Sequence, residues 1–179
     1  MKGKPDSRAR LLAAAITIVA KDGASHLTID GVAKESGLSK GGVLYHYPSK
    51  HALLQGMMEK MLDELASKST EARQTDGVSE LVAHIRSLSN RSPQERATSL
   101  ALLANAAEAP SLMDAARPFV NERITTIRAE SADEELSLIL FLASEGIRFM
   151  DVLNLLPLSD SEERDIYKRL QQMAEEAQA

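Results

Sequence analysis

The sequence predicts an all-α protein of about nine helices, and three observations carry that reading. Apolar residues recur every three to four positions along nearly the whole chain, which is the spacing of one helix face. Helix start and stop signals are dense: three Ser-x-x-Glu pairs, with Gly or Pro between the periodic segments. Aromatic residues make up only 3% of the 179 positions and Trp is absent, so strand-rich folds are disfavoured.

The elements follow in order. Leu11, Ala15, Ile18 and Val19 have helical spacing, and Gly23 follows the last turn as a C-cap. Thr28 caps a short helix carrying Ile29, Val32 and Ala33, with Leu27 and Val32 placed as a hydrophobic staple, and Gly37 stops it. Ser39 caps a third helix that runs to about Tyr47, where Pro48 ends it. Ser49 opens a long fourth helix with Leu54, Met57, Met61 and Leu65 on one stripe, and Gln74-Thr75-Asp76-Gly77 is expected as a loop. Val78, Leu81, Val82, Ile85 and Leu88 form the next helix. Capping boxes at Ser92/Glu95, Ser131/Glu134 and Ser159/Glu162 start later ones, and Pro110 and Pro118 are expected to break the chain between them. An apolar helix is expected from about Asp133 to Leu156, closed by Pro157, and a last one has Ile166, Leu170, Met173 and Ala177 along one side.

Composition removes whole classes of function. With no cysteine there is no disulfide framework, thiolate nucleophile, zinc ribbon or iron–sulfur cluster. No apolar run approaches the ~18 residues of a membrane span, and no membrane association or cofactor is expected. Lys2, Lys4, Arg8 and Arg10 ahead of Leu11–Ala20 mimic a signal peptide. Asp6 within the basic stretch and Lys21-Asp22 directly after the apolar run argue for a mature helix and a cytoplasmic protein.

The net charge of −5 is unevenly spread. Residues 1–56 hold eight Lys and Arg against four Asp and Glu, a net of +4, which leaves −9 for the remainder. A basic head on an acidic body suggests that a polyanion meets the head. Within it, residues 28–47 form a helix, a turn containing Gly and a second short helix, the helix-turn-helix pattern. Such a unit seats its second helix in the major groove of DNA while helix N-termini and flanking side chains grip phosphates. The second helix begins Ser39-Lys40-Gly41-Gly42-Val43. Two consecutive glycines weaken a helix by roughly 1 kcal/mol each relative to Ala, a cost that fits close approach to a backbone or base edge. An ordinary tight turn between helices fits the same pattern equally well.

The stretch Leu27-Thr28-Ile29-Asp30-Gly31-Val32-Ala33-Lys34-Glu35-Ser36-Gly37-Leu38-Ser39-Lys40-Gly41-Gly42-Val43-Leu44-Tyr45-His46-Tyr47-Pro48-Ser49-Lys50 resembles the DNA-binding head of TetR-type repressors. The likeness joins Gly23, the Val-Ala pair, Gly37, the Ser-Lys-Gly turn, the aromatic pair and Pro-Ser-Lys, and covers about a third of the chain. It implies a DNA-binding domain over residues 1–50 and a helical ligand-binding and dimerisation domain over 51–179. Thr28 and Ser39 would face phosphates, with Lys40, Gly41, Gly42 and Val43 at the groove floor. Tyr45 and His46 would hydrogen-bond phosphates and Lys50 would add charge. Lys40 to guanine and Val43 to a thymine methyl are the candidates for base reading. Leu44 stands where many members have tyrosine, which removes one contact, and Tyr47 is expected in the core.

For the body, the resemblance implies a homodimer built on the apolar helix and the last helix, through Leu136, Leu140, Ala143, Ile147, Ile166, Leu170 and Met173. Two heads then address a palindromic operator in double-stranded DNA. The apolar helix is apolar on two faces, with Leu138, Phe141, Leu142 and Phe149 on the second, as an ordinary core helix also is. An effector cavity for an unknown small molecule is implied, with Met61, Leu65, Leu103, Asn105, Met113, Phe141, Glu145 and Phe149 as candidates. Glu145 and Arg148 are also placed to pair with each other. His51 and His84 have no partner at metal-ligand spacing. An enzyme is not expected: no Glu-x-x-His pair, cysteine or Ser/His/Asp constellation is visible. The rival is a helical protein-interaction adaptor without DNA binding, which has no need of Tyr45-His46 beside Lys50.

Overall fold

A computed structural model describes residues 6–89, 91–106 and 109–177. The described residues contain nine α-helices and no strand: α1 (Ser7–Asp22), α2 (Ile29–Ser36), α3 (Lys40–His46), α4 (Lys50–Asp76), α5 (Glu80–Ser89), α6 (Pro93–Ala106), α7 (Ala116–Glu130), α8 (Glu134–Val152) and α9 (Asp160–Glu176). Short 3-10 turns cover Ala24–His26 and Pro110–Asp114. No described helix is long and apolar enough to cross a membrane.

Packing divides the described residues into two compact units. Residues 6–61 pack with 92–106 and 109–116, and residues 62–89 and 91 pack with 117–177. The reason is that α1 presents more than one apolar face. It buries Leu11, Leu12, Ala14, Ala15, Ile18 and Val19, enough to cover both α2 and α6, so α6 belongs with the head. Helix α4 contributes residues to both units.

In the first unit each short helix has its own cap. Asp6 accepts from the Arg8 N–H to open α1, and Gly23, at φ 86°, closes it by donating to the Val19 carbonyl. The Thr28 hydroxyl accepts from the Gly31 N–H at 3.0 Å, and α2 stops at Gly37, whose φ of 67° is left-handed. The Ser39 hydroxyl then accepts from the Gly42 N–H at 3.1 Å to start α3. After Pro48, Ser49 accepts from the Ala52 N–H at 3.0 Å to start α4.

In the second unit, Leu81, Val82, Ile85 and Leu88 of α5 pack with Ile127 of α7, Leu140 and Phe141 of α8, and Tyr167, Leu170 and Ala174 of α9. Four boundaries differ from the sequence expectation. Helix α4 runs through Gln74-Thr75-Asp76 and ends only at Gly77, which takes φ 67° and donates to the Arg73 carbonyl. Pro118 does not break the chain: it lies in the first turn of α7, where the missing N–H costs no helical bond. Asp133, not Ser131, caps α8 by accepting from Leu136, and the Ser131 hydroxyl meets that of Ser137 instead. The same helix ends at Val152, short of Leu156. Asn154 adopts φ 55°, and Leu155 and Asn154 donate back to Met150 and Asp151, a Schellman closure with Asn at the left-handed position. The capping boxes at Ser92/Glu95 and Ser159/Glu162 form as expected.

Candidate nucleic-acid interface

The outward face of α3 is set by one buried residue. Val43 is 0% exposed, so it anchors α3 to the head and cannot reach a thymine methyl; that expectation is corrected. A seven-residue helix pinned at Val43 turns Lys40, Gly41, Leu44 and Tyr45 outward. Tyr45 is 84% exposed and meets only the edge of His46, with ring centroids 5.0 Å apart. Leu44, which the sequence marks as a missing contact, is the apolar side chain on this face, 39% exposed.

The two glycines have room around them. A Cβ on Gly41 would come no nearer than 4.0 Å to Ser39 Oγ, and one on Gly42 no nearer than 3.4 Å to the same atom. Neither has a left-handed φ, so nothing inside the protein requires glycine at either position.

The cations of the head are partly spoken for. Lys40 Nζ lies 2.9 Å from Asp30 Oδ1 and 3.0 Å from Oδ2, with both side chains well exposed. Arg10 donates to the Ser36 carbonyl at 2.7 Å, tying α1 to the end of α2. Arg8 Nε donates to the Tyr47 hydroxyl at 3.1 Å and its guanidinium also pairs with Glu59. Tyr47 itself is buried, as expected. Lys50, half-buried at the start of α4, reaches the Ala24 carbonyl at 3.5 Å. Thr28 and Ser39 are exposed while serving as caps, and His46 is half-buried. Asp30 and Arg10 escape a reading by motif, because their roles lie in contacts ten and 26 residues distant.

In the second unit a buried ionic network runs through the apolar layers. Glu80 accepts from Ser69 at 2.6 Å and from Arg123 Nε at 2.7 Å. Arg123 also donates to His84 Nδ1 at 3.0 Å, and since a guanidinium only donates, the neutral ring carries its proton on Nε2. That atom faces Glu145 Oε1, 3.1 Å away. Burial pushes the His84 pKa down, and the Arg123 charge adds to this against the pull of Glu145. Burial also opposes ionisation of Glu145, but the His84 hydrogen bond and the Arg148 guanidinium outweigh it and hold the carboxyl at about 2. Glu145 and Arg148 are ion-paired, the alternative left open by their spacing. Arg73 joins Glu130, which accepts from the Glu80 N–H at 2.8 Å. By sequence alone His84 and Arg123 read as solvated side chains; their burial and their partners come from contacts between residues distant in the chain.

The effector candidates fall into both units. Met61, Leu103 and Met113 are half-buried in the first, where Met61 accepts from Ser99 and the Asn105 amide donates to the Ala101 carbonyl of its own helix. In the second, Leu65 is half-buried, Phe149 is exposed, Phe141 is a core residue against the His84 ring, and Glu145 is committed to ion pairs. Among the dimer candidates, Leu140 and Leu170 are core residues of their own chain and are corrected as interface residues. Leu136, Ile147 and Met173 are half-buried against that core, while Ala143 and Ile166 are exposed. The open apolar stripe of α8 is instead Ile139, Leu142, Ala143, Gly146, Phe149, Met150 and Leu153, with Ile139 and Leu142 61% and 64% exposed.

A capped short helix, a left-handed glycine turn and an outward-facing second helix, attached to a helical body, define a helix-turn-helix regulator. The chain belongs to the TetR family. Residues 11–57 match the model for bacterial regulatory proteins of the tetR family, and residues 79–175 match that for the tetracyclin repressor-like C-terminal domain. Solved structures share the fold at low identity. A transcriptional regulator from Rhodococcus sp. Rha1 is 20% identical with a TM-score of 0.76, over 96% of both chains. A TetR-family member from Streptomyces coelicolor A3 is 21% identical with a TM-score of 0.68, covering 93% of this chain and 98% of that one. The multidrug binding protein EbrR, solved with ethidium, is 20% identical with a TM-score of 0.69, covering 93% and 99%. No curated protein matches the chain.

Proposed function

We propose that this TetR-family regulator is a cytoplasmic, non-enzymatic repressor that binds a palindromic operator as a homodimer and releases it on binding a small-molecule effector. The observation that carries the DNA reading is the outward face of α3. It offers a cation, an exposed tyrosine and an apolar side chain around two glycines that the protein's own packing does not need. Glycine there lets a nucleic acid approach the helix backbone. Tyr45 and His46 hydrogen-bond phosphates, Thr28 and Ser39 sit at helix starts that favour anions, and Lys40 and Leu44 meet base edges. Lys50 contributes charge from the start of α4.

For the dimer, the open stripe of α8 from Ile139 to Leu153 supports a two-fold contact, because a contiguous apolar face of this kind is costly in water. An effector relieves repression if it favours a dimer whose heads no longer fit two successive grooves, and it shifts occupancy only by its differential affinity for the two spacings. EbrR, a protein of the same fold, binds ethidium, which supports a small-molecule site in the body. Selection of bound duplexes from a random pool tests the reading. A two-fold symmetric sequence with half-site centres about 34–36 Å apart, or a multiple of this, is expected; a pool that shows no enrichment contradicts it.

A further inference from the structure

The Lys40–Asp30 pair is an anomaly on a surface meant for a polyanion. A carboxylate at the mouth of such a surface repels phosphate, and an exposed ion pair adds little stability. Yet Asp30, in the first turn of α2, places both carboxylate oxygens within 3.0 Å of the one ammonium at the start of α3. Wherever Lys40 Nζ goes without leaving this contact, the Asp30 carboxylate goes too.

We propose that Asp30 is a specificity-determining residue, and that with Lys40 it forms a two-point head reading a single G·C base pair. The inference rests on the DNA-binding reading given above. An ammonium has three protons and no acceptor, and a carboxylate has about four acceptor sites and no donor. Paired, they therefore keep a free donor and a free acceptor side by side. The major-groove edge of G·C presents the complement: guanine O6 and N7 accept, and the cytosine N4 amino group donates. Guanine O6 and cytosine N4 are themselves hydrogen-bonded partners, about 2.9 Å apart. That matches the 2.9 Å between Lys40 Nζ and Asp30 Oδ1. Lys40 donates to guanine while Asp30 accepts from the cytosine amino group. An isolated lysine is a point charge that tolerates any acceptor; the carboxylate makes the pair reject thymine, whose O4 would meet it acceptor to acceptor. The exposed position of both side chains leaves them free to reach outward without disturbing the core.

The test is selection from a random duplex pool with the full chain, run in parallel for the wild type, Asp30→Ala, Lys40→Ala and the double variant, with melting curves to show that each is folded. The wild type is expected to enrich one G·C pair in each half-site. Asp30→Ala is expected to keep binding but lose about tenfold discrimination at that pair. Lys40→Ala relaxes the same pair, and the double variant is no less selective there than either single one. If Asp30→Ala instead binds every duplex more tightly with its preferences intact, the carboxylate only repels phosphate and the proposal is overturned. Relaxation at different positions by the two single variants overturns it as well. A wild type that enriches nothing overturns the DNA-binding reading itself, and this proposal with it.

Discussion

Tyr47 packs directly against Gly56: a Cβ on Gly56 would stand 2.6 Å from Tyr47 Cε1 and 3.2 Å from Leu12 Cδ2. The residue that ends α3 thus rests on the one position of α4 without a side chain, while its hydroxyl accepts from Arg8 of α1. Three helices meet at this point, and the orientation of α3 depends on it. Gly56→Ala is expected to destabilise the protein by about 1–3 kcal/mol through overpacking, read as a lower midpoint in urea. Unchanged stability would mean that the Tyr47 ring moves aside freely.

Gly41 and Gly42 make opposite demands on stability and binding. Both have space for a methyl group and ordinary helical angles. Gly41→Ala and Gly42→Ala are therefore each expected to stabilise the fold by up to about 1 kcal/mol while weakening duplex binding. Thermal melts and duplex titrations on the same samples check both halves. Stabilised variants with undiminished affinity would show that neither glycine serves a close approach.

The His84 pair gives the second unit an acid limit. Its pKa is lowered in the fold from an ordinary value of 6.5, so the folded state binds fewer protons than the unfolded one below that pH. The stability this contributes is complete above about pH 6.5 and is lost as pH falls toward the depressed folded value. Glu145, held at about 2 against an ordinary 4.5, adds a second loss below pH 4.5. The groups facing His84 are Arg123 from α7 and Glu145 from α8, with Arg148 alongside. His84→Gln, whose amide can accept from Arg123 and donate to Glu145, is expected to flatten the dependence that sets in below pH 6.5, leaving the loss that Glu145 adds from about pH 4.5 downward. An unaltered pH profile would remove His84 as its source.

Much of the fold, including the helix-turn-helix, is legible in the sequence, for a physical reason. Caps, left-handed glycines and helix periodicity are local, and Thr28, Gly37, Ser39 and Pro48 mark the helix-turn-helix without any tertiary information. The misreadings share a different cause. Whether Val43 faces the protein or the groove, and whether Leu140 faces its own core or a partner, depends on the rotation of a helix whose several faces are all apolar. The sequence does not order those faces. Pro118 and Ser131 mislead for a related reason, since a proline in a first turn and a serine near a helix start have more than one compatible geometry. Arg123 and His84 are invisible to pattern because their partners are remote in the chain.

Two neighbouring positions of α8 distinguish the core from the proposed two-fold contact: Leu140 is buried and Leu142 is exposed. Leu140→Ala, a fully packed side chain, is expected to cost about 2–5 kcal/mol of folding stability. Leu142→Glu is expected to leave the monomer folded and shift the protein from dimer to monomer in sedimentation velocity. A Leu142→Glu protein that stays dimeric would place the two-fold contact elsewhere.

The proposed grip of the head on the phosphates of duplex DNA is read from the affinity of the full chain for an operator-bearing duplex measured across salt concentrations. Counterion release predicts a linear fall of log affinity with log salt, with a slope of about −0.9 for each phosphate neutralised, and a slope shallower by about one unit when Lys50 is replaced by Ala. Affinity that is indifferent to salt, or a slope unmoved by that replacement, would contradict it.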